Sequence, residues 1–131
     1  MVTEIRPGGA VGRYRLVREL ARGGMGTVWL ARDERLARDV AVKILPDLRV
    51  VDEASGRRFE REARALARLQ HPNVISVFDI GTTDGGEGSP VPYLVMEFVD
   101  GRPLNEYLER EKPDTAGCLE LMVKVCDAVQ H

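Results

Sequence analysis

Between Arg13 and Leu45 apolar and polar side chains alternate, give way to a cluster of glycines, and then alternate again. "RYRLVREL" sets Tyr14, Leu16 and Leu20 against Arg and Glu, the period of a half-buried strand. "TVWLAR" and "RDVAVKIL" are rich in Val, Ile and Trp and are separated only by the charged link "DERLAR". So short a link lets consecutive strands meet only as hairpins, so the segment reads as three antiparallel strands, and Pro46 ends the third.

The period then changes. From about Ser55 to Gln70, Phe59, Ala63, Leu66 and Leu69 recur at three- and four-residue steps while Glu60 and Arg64 face out as an i,i+4 pair. This predicts an amphipathic helix, stopped at His71 and Pro72. "NVISVFDIG" and "PYLVMEFV" read as two more strands, joined by the Gly-rich, mobile loop "TTDGGEGSPV". Helices follow near Leu104 to Arg110 and from about Ala116 to the end, the last with Leu121, Met122, Val125 and Val129 on one stripe. The fold class is α+β: a five-stranded antiparallel sheet with one packed helix, then two helices. Residues 1–12 form a tail, 13–99 one lobe, and 100–131 the start of something else.

Charge and composition narrow the function classes. A net charge of −2, with arginines scattered along the chain, leaves no basic stripe for nucleic acid. No apolar run approaches the roughly 20 residues that a bilayer span needs, and "MVTEIRPGGAVG" has no signal-peptide core. Cys118 and Cys126 lie eight residues apart in one predicted helix, roughly 12 Å along its axis and too far for a disulfide. A reducing cytoplasm is the expected compartment.

Gly23, Gly24 and Gly26 pose the chemical question. Without side chains, such a turn can bring backbone N–H groups against a ligand, and converging N–H dipoles suit phosphate oxygens. Glycine content alone equally fits a loose hairpin turn. A Walker loop needs Lys before Thr27, which instead follows Gly26, and a dinucleotide fingerprint must open a helix, whereas "TVWLA" continues as strand. Lys43, one of three lysines, sits inside "DVAVKIL" on the face of Ala41 and opposite Val40 and Val42. An ammonium projecting from a sheet needs an anion or a path to water. Glu62 falls on the apolar stripe of the predicted helix with Phe59, Leu66 and Leu69, so docking that helix on the sheet would bring its carboxylate to Lys43 beneath the glycine turn. The alternative for Glu62 is a rim position reaching solvent.

Taken in order and spacing, these residues resemble the eukaryotic-type protein kinases, especially the bacterial Ser/Thr kinases, whose signature includes a G-x-G-x-x-G-x-V loop and a V-A-I-K strand. Here the loop reads Ala21-Arg-Gly23-Gly-Met-Gly26-Thr-Val28, the strand reads Val40-Ala-Val-Lys43, the helix carries "FEREARALARLQHPNVI", and "LVMEFVDG" is similar to the fifth strand and hinge. The resemblance covers nearly the whole chain. It implies that the backbone of Arg22, Gly23, Gly24, Met25, Gly26 and Thr27 covers the phosphates of ATP, that Lys43 holds the α- and β-phosphates, and that Glu62 orients Lys43. It further implies that Leu20, Val28 and Ala41 pack on adenine, that Met96 is the gatekeeper, and that the Glu97 carbonyl and Val99 N–H pair with the adenine edge. The implied partner is a protein carrying Ser or Thr, and Mg²⁺ is expected only in a full-length enzyme.

Three departures stand beside the match. Ala21 replaces the first loop glycine, which suits the place only while φ stays negative. Pro103 occupies the region where many relatives contact the ribose. The family's H-R-D-x-x-x-x-N and D-F-G motifs would follow "LELMVKVCDAVQH", where the sequence ends. Asp79-Ile-Gly81 and the Asp100/Asn105 pair imitate those motifs in spacing but stand in the wrong places along the chain. The expectation is a kinase N-terminal lobe with two helices of an incomplete second lobe, truncated before the catalytic loop and inactive alone, its last helix free to associate. The competing expectation is a short, non-catalytic module that binds nucleotide or a partner.

Overall fold

The computed structural model describes residues 5–23, 26–45, 57, 61, 63–84 and 90–130. Its elements are β1 (Ala10–Val11), β2 (Tyr14–Gly23), β3 (Gly26–Asp33), β4 (Arg38–Ile44), β5 (Val77–Asp84), β6 (Pro90–Glu97), α1 (Leu104–Glu111) and α2 (Thr115–Gln130). Residues 57, 61 and 63–67 are helical, inside the segment where the sequence predicts a helix. Two compact units emerge: residues 1–68 with 76–98, and residues 69–75 with 99–131.

The first unit is one antiparallel sheet in the order β1-β2-β3-β4-β6-β5. It has six strands where the sequence reading expects five. The extra strand is only two residues long, Ala10 and Val11 paired with Arg15 and Tyr14. It turns back through Gly12 at φ 58°, a conformation that suits glycine. Its Val11 is fully buried, so this edge of the sheet belongs to the core.

One sheet face carries that core. Val11, Tyr14, Leu16, Trp29, Ala31, Val40, Val42, Ile44, Val91, Tyr93 and Val95 form a continuous buried cluster. The period-two pattern of "DVAVKI" thus sorts as alternation predicts, with Val40, Val42 and Ile44 inside. In β2 the alternation is interrupted twice, between Leu16 and Arg18 and between Glu19 and Ala21. The extra residues are Val17, which is exposed, and Leu20, which is half-buried.

Asp33 anchors the sheet margin. Asp33 is fully buried, accepts the Arg35 and Leu36 N–H groups through Oδ1 and pairs with Arg13, which holds the β3–β4 turn. The Tyr93 hydroxyl lies where a Cβ on Gly12 or Gly81 would come within 2.6 Å of it, so a side chain at either position would have to displace the tyrosine ring.

The second unit is helical. Asp114 starts α2 by accepting the Gly117 N–H at 2.8 Å through Oδ1, an N-cap bond, and Lys112 ends α1 in the left-handed conformation, its N–H donating to the Leu108 carbonyl. The "HPN" segment is bonded to α2: His71 Nε2 lies 3.2 Å from Asp127 Oδ2, and Asn73 Nδ2 donates to the Lys124 carbonyl. Cys118 and Cys126 are free thiols on α2. No helix among the described residues is long and apolar enough to cross a membrane.

Candidate functional site

Directly opposed residues in an antiparallel ladder share a face, so the register states which side chains stand together. One row runs Ala21–Val28–Lys43–Leu94–Ile80 across five strands. The next runs Leu30–Ala41–Met96–Val77. Val28, Ala41, Lys43 and Met96 therefore occupy one patch, on the face opposite the core cluster. Arg18 stands opposite Leu30 at the β2 end of the second row, and Lys43 is the cation at the middle of the first, half-buried, with Val28 and Leu94 as its cross-strand neighbours. Five of the predicted site residues, Ala21, Val28, Ala41, Lys43 and Met96 from four strands, are brought together by hydrogen-bond register.

Beside this patch the β2–β3 hairpin closes with Gly23 opposite Gly26. Gly26 has φ 107°, and a Cβ there would collide with the Ile44 carbonyl oxygen, so glycine is obligatory on the returning limb. Around Gly23 a Cβ would meet nothing within 4 Å. Ala21 lies in regular extended pairing with Val28, and positive φ among described non-glycine residues occurs only at Ala37 and Lys112. Alanine in place of the first loop glycine therefore costs no backbone strain. Arg22 reaches back to Glu19 at 2.8 Å on the exposed surface. Gly24, Met25 and Glu62 lie outside the described residues, and with Glu62 the expected ion pair to Lys43.

Glu97 ends β6 with a double tie to Ser76: its N–H donates to the Ser76 carbonyl at 2.8 Å and its carboxylate accepts the Ser76 N–H at 3.3 Å. Val99 opens the second unit and is 56% exposed. The two imitation motifs have separate explanations. Asp79 accepts the Tyr14 hydroxyl at 2.9 Å and the Ile80 N–H, which commits it to the sheet. Burial, helped by that bond, pushes the Tyr14 hydroxyl up to about 12. Asp100 is in an exposed loop and Asn105 in the first turn of α1. No group of three or more His, Cys, Asp or Glu among the described residues could hold a metal ion.

Trp29 is the residue beside this site that pattern reading passed over. Its indole N–H donates to the Thr27 hydroxyl at 3.1 Å, next to the turn. The available signal was the i,i+2 placement of an aromatic donor and a hydroxyl on one strand face.

Comparison with known proteins identifies the family and the fold. The family model for the protein kinase domain matches residues 14–131, leaving β1 outside the match. The serine/threonine-protein kinase PknA of Mycobacterium tuberculosis is 52% identical over 100 residues, covering 76% of this chain and 23% of that protein. PrkC of Bacillus subtilis is 39% identical over 121 residues, 92% of this chain and 18% of that protein. The crystal structure of the M. tuberculosis PknI kinase domain superposes with a TM-score of 0.76 at 28% identity, covering 95% of this chain and 49% of that one. The chain thus spans only 18–23% of the length of these two relatives. With the glycine hairpin, the lysine strand and the sheet order in place, this chain belongs to the protein kinase family, among the bacterial serine/threonine kinases.

Proposed function

We propose that this chain is the ATP-binding portion of a protein serine/threonine kinase which, at full length, transfers the γ-phosphoryl group of ATP to Ser or Thr of a protein substrate. The observation that carries the reading is the patch of Val28, Ala41, Lys43 and Met96 on the non-core face, next to a hairpin that tolerates only glycine at position 26. ATP supplies the phosphoryl group when bound; the chain supplies position and charge. Backbone N–H groups from Arg22 to Thr27 cover the phosphates, with Gly23 and Gly26 admitting close approach. Lys43 Nζ holds the α- and β-phosphates, and Glu62 orients it. The apolar surface of Leu20, Val28 and Ala41 packs on adenine with Met96 behind it, and the Glu97 carbonyl takes the amino edge. The tie from Glu97 to Ser76 steadies that stretch of backbone.

The given sequence carries no H-R-D or D-F-G motif, and Asp79, which imitates the latter, is bonded into the sheet. Our reading is therefore that this polypeptide alone binds nucleotide without transferring phosphate, Mg²⁺ and substrate engaging only in the longer enzyme. A cytoplasmic location, where ATP and protein substrates meet, belongs to the same reading. Calorimetric titration of the purified chain and of Lys43→Met with ATP is the test. The expected result is measurable binding by the parent and at least a roughly tenfold loss in the variant, the scale of one charge-assisted contact. Equal binding by both removes Lys43 from the site, and radiolabelled phosphate appearing in a generic protein substrate overturns the inactivity.

A further inference from the structure

We infer that Trp29 is a positioning residue for the phosphate-covering turn: by donating its indole N–H to the Thr27 hydroxyl it fixes the limb on which the glycine hairpin returns to the sheet. This inference rests on the nucleotide reading above.

Trp29 is the sole tryptophan of the chain and is 4% exposed. A buried indole N–H needs an acceptor, and strand backbone on either side is already engaged in the ladder with Glu19 and Val42. Thr27 Oγ1, two residues back on the same face and 3.1 Å away, is the acceptor the structure provides. Trp29 itself lies in the core cluster, on the far side of the sheet from Lys43, so it acts only through Thr27.

What Thr27 controls follows from its neighbours. It stands opposite Ile44, directly after the glycine whose backbone rests on the Ile44 carbonyl, and directly before Val28, which stands opposite Lys43. Holding the Thr27 side chain on the core face sets the orientation of the peptides between Gly26 and Val28, those that would face a phosphate above Lys43. Among the described residues the outgoing limb has no comparable buried tie. Ala21 to Gly23 are exposed, and their side-chain tie among the described residues is the solvent-facing Arg22–Glu19 pair, of a kind that contributes little. The hairpin is thus anchored on one side, and a preorganised return limb reduces the ordering that nucleotide binding would otherwise require.

The test uses the whole chain and a fluorescent ATP analogue. Thr27→Val keeps the shape of the side chain and removes the acceptor; Trp29→Phe keeps the aromatic body and removes the donor. Both are expected to weaken binding by roughly threefold to tenfold, the worth of one hydrogen bond, while Thr27→Ser restores affinity to within about twofold. Trp29 emission is expected to change on nucleotide addition in the parent and in Thr27→Ser, and not in Thr27→Val. Parent-like affinity in both Thr27→Val and Trp29→Phe, alongside lost binding in Lys43→Met, overturns the inference and leaves the nucleotide reading standing. A lower melting temperature in Thr27→Val with unchanged affinity also overturns it, since the bond would then be structural only. Absence of binding by the parent overturns the nucleotide reading and this inference with it.

Discussion

The sheet unit draws its buried residues from five strands, β1 to β4 and β6, into one cluster of eleven side chains. Neither helix of the second unit buries any residue; Leu119, Met122, Val123 and Val129 of α2 are 54–79% exposed. The helices of the second unit carry apolar side chains of their own, and none of these is buried. Burial of apolar surface is the main favourable term in folding, so the buried cluster of the sheet contributes most to stability, while the helices rest on their caps and on the exposed bonds from α2 to His71 and Asn73. A 16-residue helix held by such bonds is marginal in water. The patch proposed to take nucleotide lies on the sheet face opposite the buried cluster, so its geometry is set by that sheet.

Substitutions should report that contrast in graded order. Gly26→Ala must place a methyl against the Ile44 carbonyl at φ 107°, and urea denaturation should show a loss of at least about 3 kcal/mol or failure to fold. A loss under 1 kcal/mol would mean that the hairpin is not pressed on β4. Leu16→Ala, at a site 1% exposed, should cost roughly 2–5 kcal/mol, whereas Leu119→Ala, at a site 60% exposed, should stay within about 0.5 kcal/mol. Equal costs for the two would erase the distinction between the units.

Tyr14→Phe should cost about 1–2 kcal/mol near neutral pH, since it removes the bond to Asp79. Its pH signature has a definite sign. The folded-state hydroxyl is raised from 10.0 to about 12, so its contribution is complete below pH 10 and disappears as pH climbs towards 12. The parent should therefore lose stability more steeply than Tyr14→Phe over that interval, and parallel curves would refute the assignment. The smallest effect is expected in the second unit: Lys112→Gly, at a left-handed helix end, should raise stability or helicity by up to about 1 kcal/mol, read by circular dichroism.

Much of this architecture was legible in the residues because it rests on period. Alternation put Lys43 and Ala41 on one face and Val40 and Val42 on the other, and the ladder places them so. The glycine hairpin and the predicted end of β4 were equally local. What escaped was not periodic. Two residues, Ala10 and Val11, make a strand only because Gly12 reverses the chain. The bulges at Val17 and Leu20 shift the alternation of β2 in a way that no apolar pattern announces. The pairing of Gly12 and Gly81 around the Tyr93 hydroxyl depends on three residues far apart in sequence. The Trp29–Thr27 bond depends on which hydroxyl a buried donor can reach, which spacing permits but does not select.

The central claim, that nucleotide lies on the sheet face opposite the core, is tested most directly by methyl NMR on alanine- and methionine-labelled chain titrated with ATP. Ala41 and Met96 are cross-strand partners on the proposed face, while Ala31 is fully buried in the core. The prediction is that the Ala41 and Met96 methyl signals move with ATP and the Ala31 signal stays in place. Signals from Ala41 and Met96 that remain fixed while the chain demonstrably binds ATP would contradict it.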